Sequence, residues 1–346
     1  MSSSGHHLAA ILPSKGHPLE VVQRPTPTPG PTDLLIQVKS TALNPIDHYM
    51  RDMGSFISSY PAIVGSDIAG IVLSQGSSVP SDAPKPGTRV TGFCPAFFTH
   101  GAPDYGAFQE KVIVPASNVT PLPDGVSFNE ASVLPMAVVT AWSGWYSIGI
   151  PRESKYSAED KKGMLVWGGS SSIGSAAIQS AKLFGFTVYA TASSKHHDYL
   201  RKLGAQKVFD YKDENVVQNI VNAAKEDGIT IRECYDSIGK TQLCLDVLKE
   251  FKGSGTSKLA SAAPLREGHP TMEGVDINFI MAPQGDEARS EHFRFVFGVW
   301  LKEKLKSGEF VPSPKLQVIE GGLKGANHGL DELKKGVSGI KLVVEV

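Results

Sequence analysis

The residues best placed to do chemistry form one short run, Gly168-Gly169-Ser170-Ser171-Ser172-Ile173-Gly174. It follows an apolar segment, KGMLVW, and opens a helical one, SAAIQSAKLFG, with Gly185 at its end. Glycine lets a chain turn tightly and approach a pyrophosphate closely. A helix N-terminus offers unpaired N–H groups and a positive partial charge to the same anion. Ser170, Ser171 and Ser172 add hydroxyl donors. Ser171 stands where the strict G-x-G-x-x-G pattern has its central glycine, and a glycine pattern alone is weak evidence. The strand before it, the helix after it and the repeating units that follow point to dinucleotide binding rather than to a merely structural turn.

A second informative segment, Thr191-Ala192-Ser193-Ser194-Lys195-His196, ends the next apolar run, FTVYATAS. NAD enzymes usually place Asp or Glu there, about 20 residues on, to bind the ribose 2′-hydroxyl. Here no carboxylate would repel a 2′-phosphate. Ser193, Lys195 and His196 could bind one, lysine as a point charge. This predicts NADPH rather than NADH, with a plain helix cap at Ser194 as the bland reading.

These segments need a sheet to hold them. After KGMLVW, short apolar runs (FTVYATAS, QKVFDY, RECYDSIG, SKLASAA, GVDINFIMA) alternate with helical stretches, as right-handed βαβ units of a parallel sheet do. Ile238 and Gly239 end the fourth run, at the carboxyl edge where such sheets bind ligands. The first third differs. RPTPTPGPTD cannot be helix or central strand. DLLIQVKSTAL, with Leu34, Ile36 and Val38 at spacing two, reads as strand, and further short runs are separated by turn signals. FNEASVLPMAVVTAWSGWYSIG reads as helical. The tail returns through a helix at residues 289–307 to KLQVIEGGL and GIKLVVEV. The expected division is a β-rich module, 1–130 with 289–346, interrupted by a doubly wound α/β domain at 131–288.

Lys plus Arg (34) nearly balances Asp plus Glu (35), for a net charge of −1, so no bulk attraction to nucleic acid or acidic membranes is expected. No apolar run approaches the roughly 20 residues of a membrane span. No secretory leader is evident, and a cytoplasmic location follows as the expectation. Three cysteines exclude a disulfide framework and leave no Cys-rich zinc site.

Read together, ALNPID (42–47), PAIVGSDIAG (61–70), GTRVTGF (87–93), DYGAFQEKVIV (104–114), ASVLPMAVVTAW (131–142), the glycine-serine turn, LGAQKVFDY (203–211) and GVSGIKLVVEV (336–346) resemble the medium-chain dehydrogenase/reductase superfamily across the whole chain. Within it, WGGSSSIG, TASSKH, VFDYKDE and KKGVSGIKLVV look like the zinc-independent quinone and enoyl reductases, above all the fungal trans-acting enoyl reductases of polyketide pathways. The resemblance implies a GroES-like catalytic domain around a Rossmann domain. Zinc members carry a ligand Cys in the segment matching 42–50 and Gly-His-Glu where this chain has Gly65-Ser66-Asp67, so no metal is expected.

The resemblance places Asn44, Asp47, His48 and Tyr49 on the cleft floor near the nicotinamide, Asn44 and Asp47 as cofactor contacts and Tyr49 or His48 as proton donor; protonation from solvent would need neither. The fungal relatives frequently have lysine where this chain has Tyr49. Thr140 matches a threonine near the nicotinamide, Tyr211 an adenosine-side contact, and Gly339, Ile340 and Lys341 the C-terminal cofactor contacts. The implied activity is NADPH-dependent reduction of an activated C=C, in a small molecule or in an enoyl group tethered to a carrier protein of a polyketide synthase. NADPH quinone reduction and cofactor binding without catalysis are the alternatives, in a monomer or homodimer.

Overall fold

The run Lys162–Trp167 is apolar and buried to its end, as a strand covered on both faces must be. In the computed structural model, which describes residues 5–251, 253 and 255–346, it is the central strand of a six-stranded parallel sheet. The spatial order is Lys207–Phe209, Thr187–Thr191, Lys162–Trp167, Thr230–Asp236, Ser257–Ser261, Val275–Phe279. In chain order within this sheet that is 3-2-1-4-5-6, the doubly wound dinucleotide-binding arrangement. Leu165 lies opposite Tyr189 on one side and Cys234 on the other. The order reverses between the first and fourth strands. There a Cβ on Gly168 would meet the Ile238 side chain at 2.9 Å, so the glycine turn and the end of the fourth strand are neighbours.

The second sheet has seven strands and is built on the ten-residue strand Asp33–Ala42. That strand pairs antiparallel with Asp67–Gln75, Lys111–Pro115 and Ile340–Glu345. The last strand also pairs parallel with Lys315–Ile319, so the C-terminus completes the sheet that the N-terminal third begins. Leu34, Ile36 and Val38 point into its core with Val72, Val112 and Leu342.

By compactness the chain divides into residues up to Met136 with Asp286–Val346, and Ala137–Gly285. The sequence-derived limits, 130/131 and 288/289, fall a few residues away. Ala131 to Met136 belong with the β-rich unit because they are bonded to it. Thr91 donates to the Ala131 carbonyl (2.8 Å), Ser40 to the Ser132 hydroxyl (3.1 Å), and the Met136 amide to Asp67 (2.7 Å).

The single helical stretch expected from residue 128 is two helices, Phe128–Ser132 and Pro135–Ser147, because Pro135 has no N–H to continue the first. The helix expected at 289–307 runs as Asp286–Phe293, a π-helical stretch Arg294–Leu301, and Lys302–Ser307. A hairpin, His6–Ile11 with Glu20–Pro25, was not anticipated; Pro25 is tolerated because the strand has a partner on one side only. Among the described residues no helix is long and apolar enough to cross a membrane.

The tightest point of the parallel unit is Gly174. A Cβ there would sit 2.3 Å from the Gly168 carbonyl oxygen and 2.9 Å from the Gly169 Cα, both backbone atoms. Gly174→Ala is therefore expected to cost about 3 kcal/mol in urea unfolding. Ser171→Ala, which removes only a helix cap, should cost about 1 kcal/mol. Equal costs would contradict the close approach.

Candidate functional site

Each unit holds candidate residues of its own, described in turn. In the parallel unit, Ser171 is the N-cap of the helix Ser172–Leu183, and its hydroxyl accepts the Gly174 N–H at 3.0 Å. The central glycine of the strict pattern is thus replaced by a residue that caps the helix. Gly168 and Gly169 donate their N–H groups to the Thr191 hydroxyl (3.0 Å) and carbonyl (2.8 Å), which ties the turn to the next strand. Ser170, Ser172 and Ile173 are half-buried at the mouth of the turn, while Gly169 and Gly174 are buried beneath it.

Beyond Thr191, Ser193 precedes a short turn, Ser194–His196. Its hydroxyl donates to the Tyr211 hydroxyl at 3.4 Å, bringing together two residues 18 apart in sequence. Lys195 and Tyr211 are exposed and His196 is half-buried. Asp210 was missed by the sequence reading. Its carboxylate accepts N–H bonds from Lys212 (3.0 Å) and Ser194 (3.1 Å), the first of which does most to hold it below the usual carboxylate range. The signal was absent because Asp210 follows the third strand, not the second, where such acids are sought.

At the end of the fourth strand, buried Asp236 accepts the N–H groups of Ile238, Gly239 and Lys240, which folds the turn and leaves Ile238 exposed. Thr140 is half-buried on the helix Pro135–Ser147, and its carbonyl accepts the buried Tyr235 hydroxyl at 2.8 Å. Cys234 and Cys244 are buried core residues.

In the β-rich unit, four polar side chains converge in the interior. Lys341, on the last strand, donates to Asn44 Oδ1 at 2.5 Å and lies 3.3 Å from Asp67 Oδ2. Asn44 Nδ2 donates to the same Asp67 oxygen at 2.9 Å. Asp47 accepts the Asn44 N–H at 2.8 Å, which fixes the start of the helix Pro45–Met53. Burial pushes the Asp47 carboxyl up to about 8, against the pull of the Asn44 N–H; the Asp67 charge adds to the rise. Burial also raises Asp67, opposed chiefly by the Lys341 charge. Cys94 is raised well above its ordinary value by burial and by both aspartates. Asp47 Oδ1 and Ser66 Oγ are buried without a hydrogen-bond partner.

On the same helix, His48 and Tyr49 touch edge to face, ring centroids 4.2 Å apart. Burial holds the His48 imidazole below its ordinary value, so it is neutral at pH 7. Tyr49 is exposed. Gly339 and Ile340 lie half-buried at the start of the last strand. Lys341, expected as a cofactor contact, has its ammonium bonded to Asn44 and beside Asp67.

Residues 30–124 match the family model of the alcohol dehydrogenase GroES-like domain, and residues 172–266 that of zinc-binding dehydrogenase. The chain is 48% identical over 340 residues, 98% of each protein, to the trans-enoyl reductase tndF of Aspergillus flavipes. It is 50% identical over 279 residues, 80% of this chain and 92% of the other, to the trans-enoyl reductase tazE of Aspergillus terreus. The crystal structure of an alcohol dehydrogenase superfamily protein from Novosphingobium aromaticivorans has the same fold: TM-score 0.79 at 22% identity, over 98% of this chain and 99% of that one.

The zinc named by the second family model does not fit these residues. Zinc takes thiolate, imidazole and carboxylate donors. Here residues 42–50 hold no cysteine, the hydroxyl of Ser66 stands where a ligand histidine was sought, and an ammonium already bonds Asn44. Among the described residues no three His, Cys, Asp or Glu side chains are grouped to hold a metal.

The Asp47 shift has a consequence for stability. Its folded value, about 8, exceeds the 3.8 of a free carboxyl, so the folded protein keeps a proton that the unfolded chain gives up. The linked stability is complete below about pH 4 and is lost as the pH rises through about 8. Asp47→Asn should flatten the fall in Tm between pH 5 and pH 8. Parallel wild-type and variant profiles would contradict the buried, protonated carboxyl.

Proposed function

Because this chain belongs to the medium-chain dehydrogenase/reductase superfamily, in the branch of the fungal trans-enoyl reductases, we propose that it reduces an activated C=C bond with NADPH, acting in trans on an acyl chain carried by a polyketide synthase. The observation that carries the reading is the full-length identity to a trans-enoyl reductase. The donor set agrees with it. Without a cysteine at 42–50 and with a hydroxyl at Ser66, the residues do not suit a metal that would stabilise an alkoxide, whereas an α,β-unsaturated thioester accepts hydride without one.

Dehydrogenases of this superfamily use a nicotinamide cofactor. NADPH, when bound, supplies the hydride. The turn at Gly168–Gly174 and the N-terminus of the helix Ser172–Leu183 would hold its pyrophosphate, with Ser170 and Ser172 as hydroxyl donors. Ser193 and Lys195 would take the 2′-phosphate, with His196 beside them and Tyr211 on the adenosine side. Asp210 stays ionised beside this turn, so the Lys195 ammonium has to outweigh its charge. Thr140, Ile238, Gly339 and Ile340 are assigned to the cofactor contacts nearer the nicotinamide.

Hydride addition at the β-carbon leaves an enolate that needs a proton at the α-carbon. Tyr49 holds one at its hydroxyl. Neutral His48, in contact with the Tyr49 ring, can donate at one ring nitrogen and accept at the other. Asn44 and Asp47 act behind them, fixing the helix that presents both rings.

The test is oxidation of NADPH, and of NADH in parallel, by the purified protein with an enoyl thioester, a simple enone and a quinone. The expected result is turnover of the thioester with NADPH preferred. Lys195→Ala should raise KM for NADPH about tenfold, equivalent to about 1.4 kcal/mol, and leave KM for NADH unchanged. Turnover of the quinone alone would replace this reading with quinone reduction. Tight NADPH binding without turnover, even with a carrier-bound substrate, would leave a binding protein.

A further inference from the structure

A cleft of about 270 Å³ lies wholly within the β-rich unit and contains none of the residues assigned above. One wall is the helical stretch that follows Asp286. Ser290, Arg294, Gly298 and Lys302 line it at intervals of four residues. In an α-helix such a row drifts around the axis, because a turn takes about 3.6 residues. The π-helical stretch Arg294–Leu301, bonded i→i+5, winds more widely and offsets the drift. Both cations therefore face the same space. Thr120 Oγ1 donates to the Phe297 carbonyl at 2.7 Å, which ties this stretch to the strand Val119–Pro121, whose ends also line the cleft. Pro80, Pro84, Pro115 and Pro121 stiffen the remaining wall, since their φ angles are fixed.

Two observations point to an occupant. First, donors outnumber acceptors. Among the described residues neither Arg294 nor Lys302 has an ion pair or a hydrogen bond, and the hydroxyls of Thr32, Ser78 and Ser290 have none either. Against them stands a single lining carboxylate, Asp82, which is also unbonded. An oxyanion meets this set. A carboxylate has two oxygens, whereas a phosphate monoester has three terminal ones and can take an arginine fork, an ammonium and hydroxyls together. Second, Gly298 sits inside the helical stretch, where glycine is weaker than alanine. Its φ is not left-handed, and a Cβ there would meet nothing nearer than the Arg294 Cγ at 3.9 Å, an ordinary contact. Neither the backbone nor the packing requires glycine. Open room between two cations does.

We propose that this cleft binds a small phosphate monoester, with Arg294 and Lys302 on the phosphate and Asp82 accepting a hydroxyl of the carbon part. Its size sets the class. About 270 Å³ falls just under the roughly 300–1,000 Å³ of pockets for drug-sized ligands, so a dinucleotide is too large. Charge sets the sign. The nearby acids Asp286, Glu291 and Glu303 do not line the cleft; Asp286 is bonded to Arg289, and Glu303 to Lys304 at 3.0 Å. The site is separate from the glycine-serine turn, which belongs to the parallel unit. It carries no step of the reduction, so its failure would leave the reductase reading as it stands.

The experiment is calorimetric titration of the full chain, in a phosphate-free buffer, with glycerol 3-phosphate and with inorganic phosphate, each with and without excess NADPH. The wild type should bind one glycerol 3-phosphate per chain with Kd at or below about 1 mM, equally with NADPH present, and inorganic phosphate more weakly. Arg294→Gln and Lys302→Gln should each weaken glycerol 3-phosphate at least about tenfold. Gly298→Leu fills the space and should abolish binding while keeping or raising Tm, since leucine is the better helix former. Asp82→Ala should tighten inorganic phosphate about threefold and erase the advantage of the ester, a gain that damage to the fold would not give. No binding of either probe at about 10 mM, or affinities unchanged in the Arg294 and Lys302 variants, would overturn the proposal. So would displacement of the probe by NADPH, or its loss in Lys195→Ala, either of which would assign the phosphate to the glycine-serine turn. Inorganic phosphate bound as tightly as the ester would overturn the assignment to a monoester.

Discussion

Burying an ammonium in a protein interior is costly unless charge and hydrogen bonds meet it there. In the β-rich unit that requirement links distant parts of the chain. Lys341 comes from the last strand, Asn44 from the start of a helix, and Asp67 from the strand that pairs with Asp33–Ala42. Each satisfies another, and Asp67 also receives the amide of Met136. Removing one member would leave a buried charge or amide without its partner. The same bonds hold the helix that carries His48 and Tyr49, so what stabilises this unit also places the side chains assigned to protonation. The chemistry of the cluster is that of a closed polar network rather than a set of metal donors.

The parallel unit solves a different problem with less charge. Its turn works through small residues. Gly174 allows the helix to close on the Gly168 carbonyl, and Ser171 caps that helix where a third glycine would leave it uncapped. Thr191 holds the turn from the neighbouring strand through both its hydroxyl and its carbonyl. The surface beside the turn is made of half-buried hydroxyls, an exposed lysine and the ionised carboxylate of Asp210.

Much of this was legible in the sequence, and the limits have physical reasons. The alternation of short apolar runs and helical stretches identified all six parallel strands; the central one, Lys162–Trp167, is the most continuously buried, while Val275–Phe279 at the sheet edge has no fully buried residue. The glycine-serine turn was legible because its chemistry is local. The hairpin His6–Ile11 and Glu20–Pro25 was not: one strand opens with two histidines, the other ends in proline, and neither alternates cleanly. The break at Pro135 was visible in the residue but outweighed by the apolar stretch around it. The buried cluster could not be read at all as a cluster, since Asn44 and Lys341 are 297 residues apart and meet only through strand pairing. Asp210 was overlooked for a related reason: its contacts depend on the turn after a neighbouring strand.

The central claim is that hydride goes to a carbon–carbon double bond rather than to a carbonyl. It is tested most directly by single turnover of an enoyl thioester with NADPH deuterated at the transferring position, followed by NMR of the product. The account predicts one deuterium at the β-carbon, an α-carbon hydrogen drawn from solvent or from an exchangeable side-chain proton, and an intact thioester. Deuterium at the carbonyl carbon, with an aldehyde or alcohol as product, would contradict it.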